Sequence, residues 1–229
     1  MAKLVLVPTP IGNLGDITLR ALEVLKGVDI VFAEDTRTTM RLLQHYGIKA
    51  NLKSFHLHNE HKVLDQTLQL IKSTEMAALV SDAGTPGISD PGFLLVRACL
   101  ENAIAVECLP GATALIPALV VSGFPTDRFV FEGFLPHKKG KQTRITGILN
   151  ETRTVVFYES PHRLLKTLEM CRLILGPSRQ AAVVRELSKM FEECVKGSFE
   201  ELITHFTTKP PKGEIVLIIG GAELVNETE

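Results

Sequence analysis

At 229 residues, 45% of them hydrophobic, the chain is long enough for one large core or two modest ones, and two small domains is the starting expectation. Its 25 Lys and Arg balance 26 Asp and Glu, so the net charge of -1 sets up no global field toward nucleic acid, and an RNA contact would need a local basic patch. The four cysteines, Cys99, Cys108, Cys171 and Cys194, form no C-x-x-C pair, the N-terminal apolar run is cut short by Pro8, and no apolar stretch approaches the roughly 20 residues of a membrane span; a cytoplasmic protein with no metal and no membrane is expected.

In chain order, short β-branched or Leu-rich runs at residues 3–7, 28–33, 52–55, 77–81 and 104–108 alternate with amphipathic segments, the pattern of parallel strands joined by crossover helices. Within 18–26, Leu19, Leu22 and Leu25 recur on what reads as one buried helix face, and Gly27 stands where a helix end favours positive φ. The turn-rich run Ser122-Gly123-Phe124-Pro125-Thr126-Asp127 places a domain boundary after the apolar segment 112–121, giving domains 1–121 and 122–229. Beyond it, strands are expected at 128–132, 154–158, 181–185 and 214–219 and helices at 141–149, 163–175 and 198–206, with strand directions left open. Residues 226–229 read as a polar tail. The fold class is therefore α/β, with two α/β domains.

In open α/β sheets ligands lie beyond the C-terminal strand ends. The loops there are dense in Gly and Pro: 8–16, then Glu34-Asp35-Thr36-Arg37, then 81–92, then Pro110-Gly111-Ala112-Thr113-Ala114. Any one of them is explained as an ordinary βα turn, and Asp90-Pro91 reads as a helix N-cap followed by proline at the first helical position. Together at one sheet edge they suggest backbone brought close to a flat ligand. Neither G-x-G-x-x-G nor G-x-x-x-x-G-K-[ST] occurs, which favours a nucleotide-like ligand without phosphates.

Two further stretches carry chemistry. Residues 136–144 contain Lys138, Lys139, Lys141 and Arg144 and no acid; they read either as a solvated loop and helix start or as a basic patch, and cations at a helix N-terminus oppose the macrodipole. His56 and His58 would share one face if the third strand continued, but no second ligand cluster accompanies them, so a polar loop is preferred to a metal site. His162, after Ser160-Pro161, sits in a helix-start pattern.

The runs Leu4-Val5-Leu6-Val7-Pro8-Thr9-Pro10-Ile11-Gly12-Asn13-Leu14, Ala33-Glu34-Asp35-Thr36-Arg37, Ser81 to Gly92, Tyr158-Glu159-Ser160-Pro161-His162-Arg163, Arg185-Glu186-Leu187-Ser188-Lys189 and Gly213-Glu214-Ile215-Val216-Leu217 follow one another over almost the whole chain. In that order they resemble the tetrapyrrole methylase superfamily of S-adenosylmethionine-dependent enzymes, and within it the branch acting on small-subunit ribosomal RNA. The resemblance implies a cofactor cleft between the two domains, a homodimer, and 2′-O-methylation of a cytidine ribose in the decoding region of 16S rRNA within the 30S subunit.

By the same resemblance, Ile11 leans on S-adenosylmethionine. Gly84-Thr85-Pro86 correspond to the family's Gly-Asp-Pro loop, with Thr85 in place of Asp and Ile88 beyond it, and Thr113, Ala114, Glu159, Leu187 and Glu214 complete the cofactor set. A ribose hydroxyl is a weak nucleophile, so a base or orienting group is expected. Asp35 or Glu186 as acceptor and Arg37 or Lys189 as orienting cation are the candidates, with mutual ion pairing as the alternative. The patch Arg128, Lys138, Lys139, Lys141, Arg144 and Arg163 would meet the RNA backbone. The rivals are a precorrin or uroporphyrinogen methyltransferase and a non-catalytic RNA-binding factor.

Overall fold

A computed structural model describes residues 2–137 and 139–222; Lys138 and the polar tail 226–229 lie outside the described residues. Two compact units, Met1–Thr113 and Ala114–Glu229, divide the chain.

The first unit runs β1 (Lys3–Leu6), a 3-10 turn (Leu14–Asp16), α1 (Leu19–Gly27), β2 (Ile30–Ala33), α2 (Thr36–His45), β3 (Leu52–Ser54), α3 (Glu60–Lys72), β4 (Met76–Val80), α4 (Phe93–Glu101) and β5 (Ala105–Cys108). The sheet order is β3-β2-β4-β1-β5 and every pairing is parallel. Because side chains alternate along a strand, Leu4 and Leu6 enter a core built with Leu68, Ile71, Leu95 and Cys99 of α3 and α4, while Val5 and Val7 enter one built with Ala21, Leu25 and Leu43 of α1 and α2. Helices thus cover both faces, and the near-continuous apolar strands follow from that double burial.

Three local expectations change. In α1 the buried residues are Ala21 and Leu25, whereas Leu19, in the first turn, is 79% exposed. Gly27 stays helical and Val28 ends the helix in extended conformation, so no left-handed cap is needed. Helix α4 starts at Phe93 behind Gly92, whose φ of 138° only glycine tolerates readily, so Asp90 is not its N-cap.

The second unit runs α5 (Leu115–Val121), β6 (Phe129–Phe134), α6 (Lys141–Gly147), β7 (Thr154–Glu159), α7 (Leu164–Leu175), β8 (Gln180–Arg185), β9 (Glu193–Ser198), α8 (Phe199–Thr208) and β10 (Ile215–Ile219). Helix α5 packs on β10, so the division between units precedes this helix rather than following it. The sheet order is β6-β7-β10-β8-β9; β6 and β7 are parallel and the other pairings antiparallel. Phe157, Leu217 and Val183 align across β7, β10 and β8 and pack with α6, α7 and α8 in one core.

Strand β9 is absent from the sequence-based expectations. Its residues, ECVKGS, alternate polar and small groups on an edge strand with little burial, which removes the apolar signal. No helix among the described residues is long and apolar enough to cross a membrane.

Candidate active site

In the first unit, β1 lies between β4 and β5, which brings three strand-end loops together. Thr9 and Gly84 exchange backbone hydrogen bonds, Thr9 N to Gly84 O at 2.9 Å and Gly84 N to Thr9 O at 2.8 Å. Gly84 holds a φ of 77°, and a β-carbon there would lie 3.7 Å from Ile11 Cγ2. The Thr85 hydroxyl donates to Ala112 O at 3.1 Å, and a β-carbon on Gly111 would lie 2.7 Å from Pro8 Cβ. Ile11, Gly84 and Thr85 are therefore brought together, with the loop that carries Thr113 packed against them; Ile88 follows in a turn closed by its N–H to Thr85 O at 3.2 Å and is exposed. Ala114 is the N-cap of α5 in the second unit.

These loops fit S-adenosylmethionine. Close-packed backbone and half-buried or exposed aliphatic side chains offer apolar surface to a thioether or an adenine ring, and the loops of residues 8–13, 81–92 and 110–114 hold no cation to neutralise a phosphate.

A carboxylate cluster, unnoticed in the sequence, lies at the ends of β2 and β4. Asp35 N donates to Asp82 Oδ1 at 3.1 Å and Asp82 N to Glu34 Oε2 at 3.4 Å. Burial raises Glu34 and Asp82 above their ordinary values, and pushes half-buried Asp90 up to about 7, with the Glu34 charge adding to the shift. Asp35 behaves oppositely: it caps α2 by accepting from Arg37 N at 2.8 Å, and the Arg37 guanidinium, 2.6 Å away, holds it well below the usual carboxylate range. The expected acceptor and orienting cation at this edge are thus spent on each other. At this edge burial and the Glu34 charge leave Asp90 the carboxyl raised furthest toward neutrality.

The sign of the Asp90 effect is fixed. A carboxyl raised in the folded state gives stability that is full below its unfolded value near 3.8 and is lost as pH rises through about 7. Asp90→Asn is expected to raise the melting temperature at pH 8 and leave it nearly unchanged at pH 4; thermal unfolding at both values checks this.

In the second unit, Glu186, Lys189 and Glu214 form one knot. Lys189 Nζ donates to Glu186 Oε1 and to Glu214 Oε2, each at 2.9 Å, and Glu214 N donates to Glu186 Oε1 at 3.0 Å. Lys189 lowers the Glu186 carboxyl and is itself raised by the two carboxylates, so the pair is held ionised. Glu186 and Ser188 have φ of 52° and 63°, a left-handed backbone that side chains other than glycine adopt at a cost, and Leu187 between them is buried. A strained, multiply bonded turn of this kind presents Lys189 in one place.

The basic patch is only partly a patch. Lys139 and Arg128 are exposed, and Arg128 borders an open pocket of about 440 Å³ with Asp127, Phe129, Thr152 and Arg153. Arg144 pairs with Glu132 at 2.5 Å. Lys141 and Arg163, expected at the RNA face, turn inward: Lys141 Nζ lies 3.9 Å from Glu159 Oε2 and Arg163 Nε 3.2 Å from Glu159 Oε1, because the Glu159 carboxylate is fully buried and needs countercharge. Burial lowers Lys141 from its ordinary value.

The histidines also differ from a strand-borne pair. β3 ends at Ser54, and His56 N instead donates to the Asn59 side chain at 2.8 Å. His162 N lies 3.3 Å from Ser160 Oγ, ahead of the α7 N-cap at Arg163.

Residues 3–203 match the family described as Tetrapyrrole (Corrin/Porphyrin) Methylases. The chain is 51% identical over 223 residues to "Ribosomal RNA small subunit methyltransferase I" of Synechocystis sp., covering 97% of this chain and 80% of that one. It is 47% identical to the Thermotoga maritima protein of the same name, covering 97% and 100% respectively. Among solved structures, a cobalt precorrin-4 methyltransferase superposes with a TM-score of 0.69 at 15% identity, covering 96% of this chain and 95% of that one. Uroporphyrin-III-C-methyltransferase from Thermus thermophilus superposes at 0.63 and 19% identity, covering 96% and 94%. The two structural likenesses speak for the fold, the sequence likenesses for the branch. The chain belongs to the tetrapyrrole methylase family and, within it, to the group of ribosomal RNA small subunit methyltransferase I.

Proposed function

We propose that this protein transfers the methyl group of S-adenosylmethionine to the 2′-hydroxyl of a cytidine ribose in the decoding region of 16S rRNA, working as a homodimer on the 30S subunit. The observation that carries the reading is the convergence of three strand-end loops that carry no cation, around Ile11, Gly84-Thr85 and Gly111, in a chain about half identical to methyltransferases of small-subunit rRNA.

The cofactor supplies an activated sulfonium methyl. The protein's share is to hold the two reactants in line, which makes a bimolecular step effectively unimolecular, and to steady the hydroxyl and take up its proton. Lys189, fixed between Glu186 and Glu214, is a cation set to orient a ribose hydroxyl or phosphate oxygen. Exposed Lys139 and Arg128 attract the RNA backbone.

Arg128→Glu combined with Lys139→Glu is expected to raise KM for 30S particles about tenfold or more and to make KM less sensitive to added salt, as the loss of phosphate contacts does, while the S-adenosylmethionine affinity measured by calorimetry stays within about twofold, a shift of under 0.5 kcal/mol. Lys141→Glu is unsuited to this test, since it would set an acid beside buried Glu159. Methyl transfer to a uroporphyrinogen and not to RNA would replace this reading with tetrapyrrole methylation; no cofactor binding at all would leave an RNA-binding factor.

A further inference from the structure

The family resemblance gives Glu159 to the cofactor, while the contacts it makes in the structure are with the protein's own groups. Its carboxylate, wholly buried at the end of β7, accepts from Ser160 N at 2.8 Å and from the Thr167 hydroxyl at 2.5 Å, and faces Arg163 Nε at 3.2 Å. Each oxygen is already engaged by the protein's own groups. Two lines of contact leave this carboxylate. Through Arg163, Nη2 donates to Leu135 O at 2.7 Å and to Pro136 O at 3.3 Å, and Nη1 lies 3.3 Å from His137 Nδ1. Through Thr167, whose hydroxyl oxygen accepts from Lys141 Nζ at 2.5 Å, the first residue of α6 is held as well.

Both ends of the segment between β6 and α6 are therefore tied to one buried carboxylate, and exposed Lys139 sits between the ties. A buried ion cluster is a weak stabiliser, because desolvation offsets most of its Coulomb attraction and apolar packing of equal volume does as well. Its distinctive yield is geometry: a planar guanidinium spans a carboxylate and two backbone carbonyls at once, which an ammonium cannot.

We infer that Glu159 is a positioning residue for the nucleic-acid substrate: acting through Arg163 and Lys141, it sets the place of Pro136, His137 and Lys139 so that Lys139 meets RNA phosphate. The inference rests on the proposed RNA methylation for its substrate, but the anchoring itself is a property of this unit and is tested separately.

The test compares Arg163→Met and Arg163→Lys. The methionine leaves Glu159 short of countercharge and lowers the melting temperature; the lysine restores the charge beside Glu159 but not the reach to Leu135 O and Pro136 O. In Arg163→Lys, melting temperature is expected to return most of the way to wild type while KM for 30S particles stays raised about tenfold, the scale of one lost phosphate contact. S-adenosylmethionine affinity is unchanged, and amide exchange across 136–140 is faster. A KM that recovers together with the melting temperature would show a stabilising role only and overturn the inference. So would a cofactor affinity that falls in step with KM, which would return Glu159 to the cofactor. If the wild type methylates no RNA, the functional reading fails, and exchange in 136–140 still decides the anchor: unchanged exchange removes it.

Discussion

Replacing Gly213 by alanine is expected to destabilise the second unit by about 2.5–5 kcal/mol, from a left-handed backbone cost of about 1–2 kcal/mol and the loss of a charged hydrogen bond worth about 1.5–3 kcal/mol. Gly213 has a φ of 81°, and a β-carbon would fall 2.0 Å from Glu186 Oε1. The Glu186 side chain fills the space that glycine leaves open, and from there it receives both Glu214 N and Lys189 Nζ. Alanine evicts it, so Lys189 loses one of its two carboxylates and methyl transfer falls with stability. Gly47→Ala is the control: φ is 64° but nothing lies within 4 Å, so only the backbone cost of about 1–2 kcal/mol remains. Urea denaturation of both variants measures the difference, and equal losses would mean the Glu186 knot contributes nothing.

Gly111→Ala is expected to weaken S-adenosylmethionine binding at least about tenfold, or about 1.4 kcal/mol, with the far-UV circular dichroism unchanged. Its β-carbon would meet Pro8 at 2.7 and 3.0 Å, and the proline ring cannot swing aside as a flexible side chain would. The loops after β1 and β5 must then part, pulling Ala112 O from the Thr85 hydroxyl. Isothermal calorimetry reads the loss directly; an unaltered affinity would show that these loops do not form the cofactor site.

Nearly every strand and helix named from hydrophobic period has its counterpart in the structure, because most are buried on at least one face and burial is what period reports. β9 escaped for the converse reason: as an edge strand pairing only with β8 it needs no apolar alternation. The Leu19, Leu22 and Leu25 stripe misled because spacing of three alone does not locate a helix's buried line; Ala21 and Leu25, four apart, do.

At the site, residue types were legible and their partners were not. Loop glycines were expected to let backbone approach a ligand; in the structure the close neighbour is the protein itself, with Gly111 packed on Pro8. The charged groups could not be sorted from the sequence, since whether Lys141 faces RNA or Glu159 depends on a carboxylate buried under α6 and α7, and whether Asp35 is a base depends on Arg37 two residues on. The acids Glu34, Asp82 and Asp90 come from two stretches of chain, joined only when β2 and β4 pair.

The central claim is tested most directly by incubating the purified protein with methyl-labelled S-adenosylmethionine and 30S particles lacking the modification, then hydrolysing the recovered RNA in alkali. A 2′-O-methyl group blocks cleavage of the following phosphodiester, so the account predicts label in an alkali-resistant dinucleotide that begins with cytidine. Label recovered in a mononucleotide, which would place the methyl on a base, or label absent from RNA and present on a uroporphyrinogen offered in parallel, would contradict it.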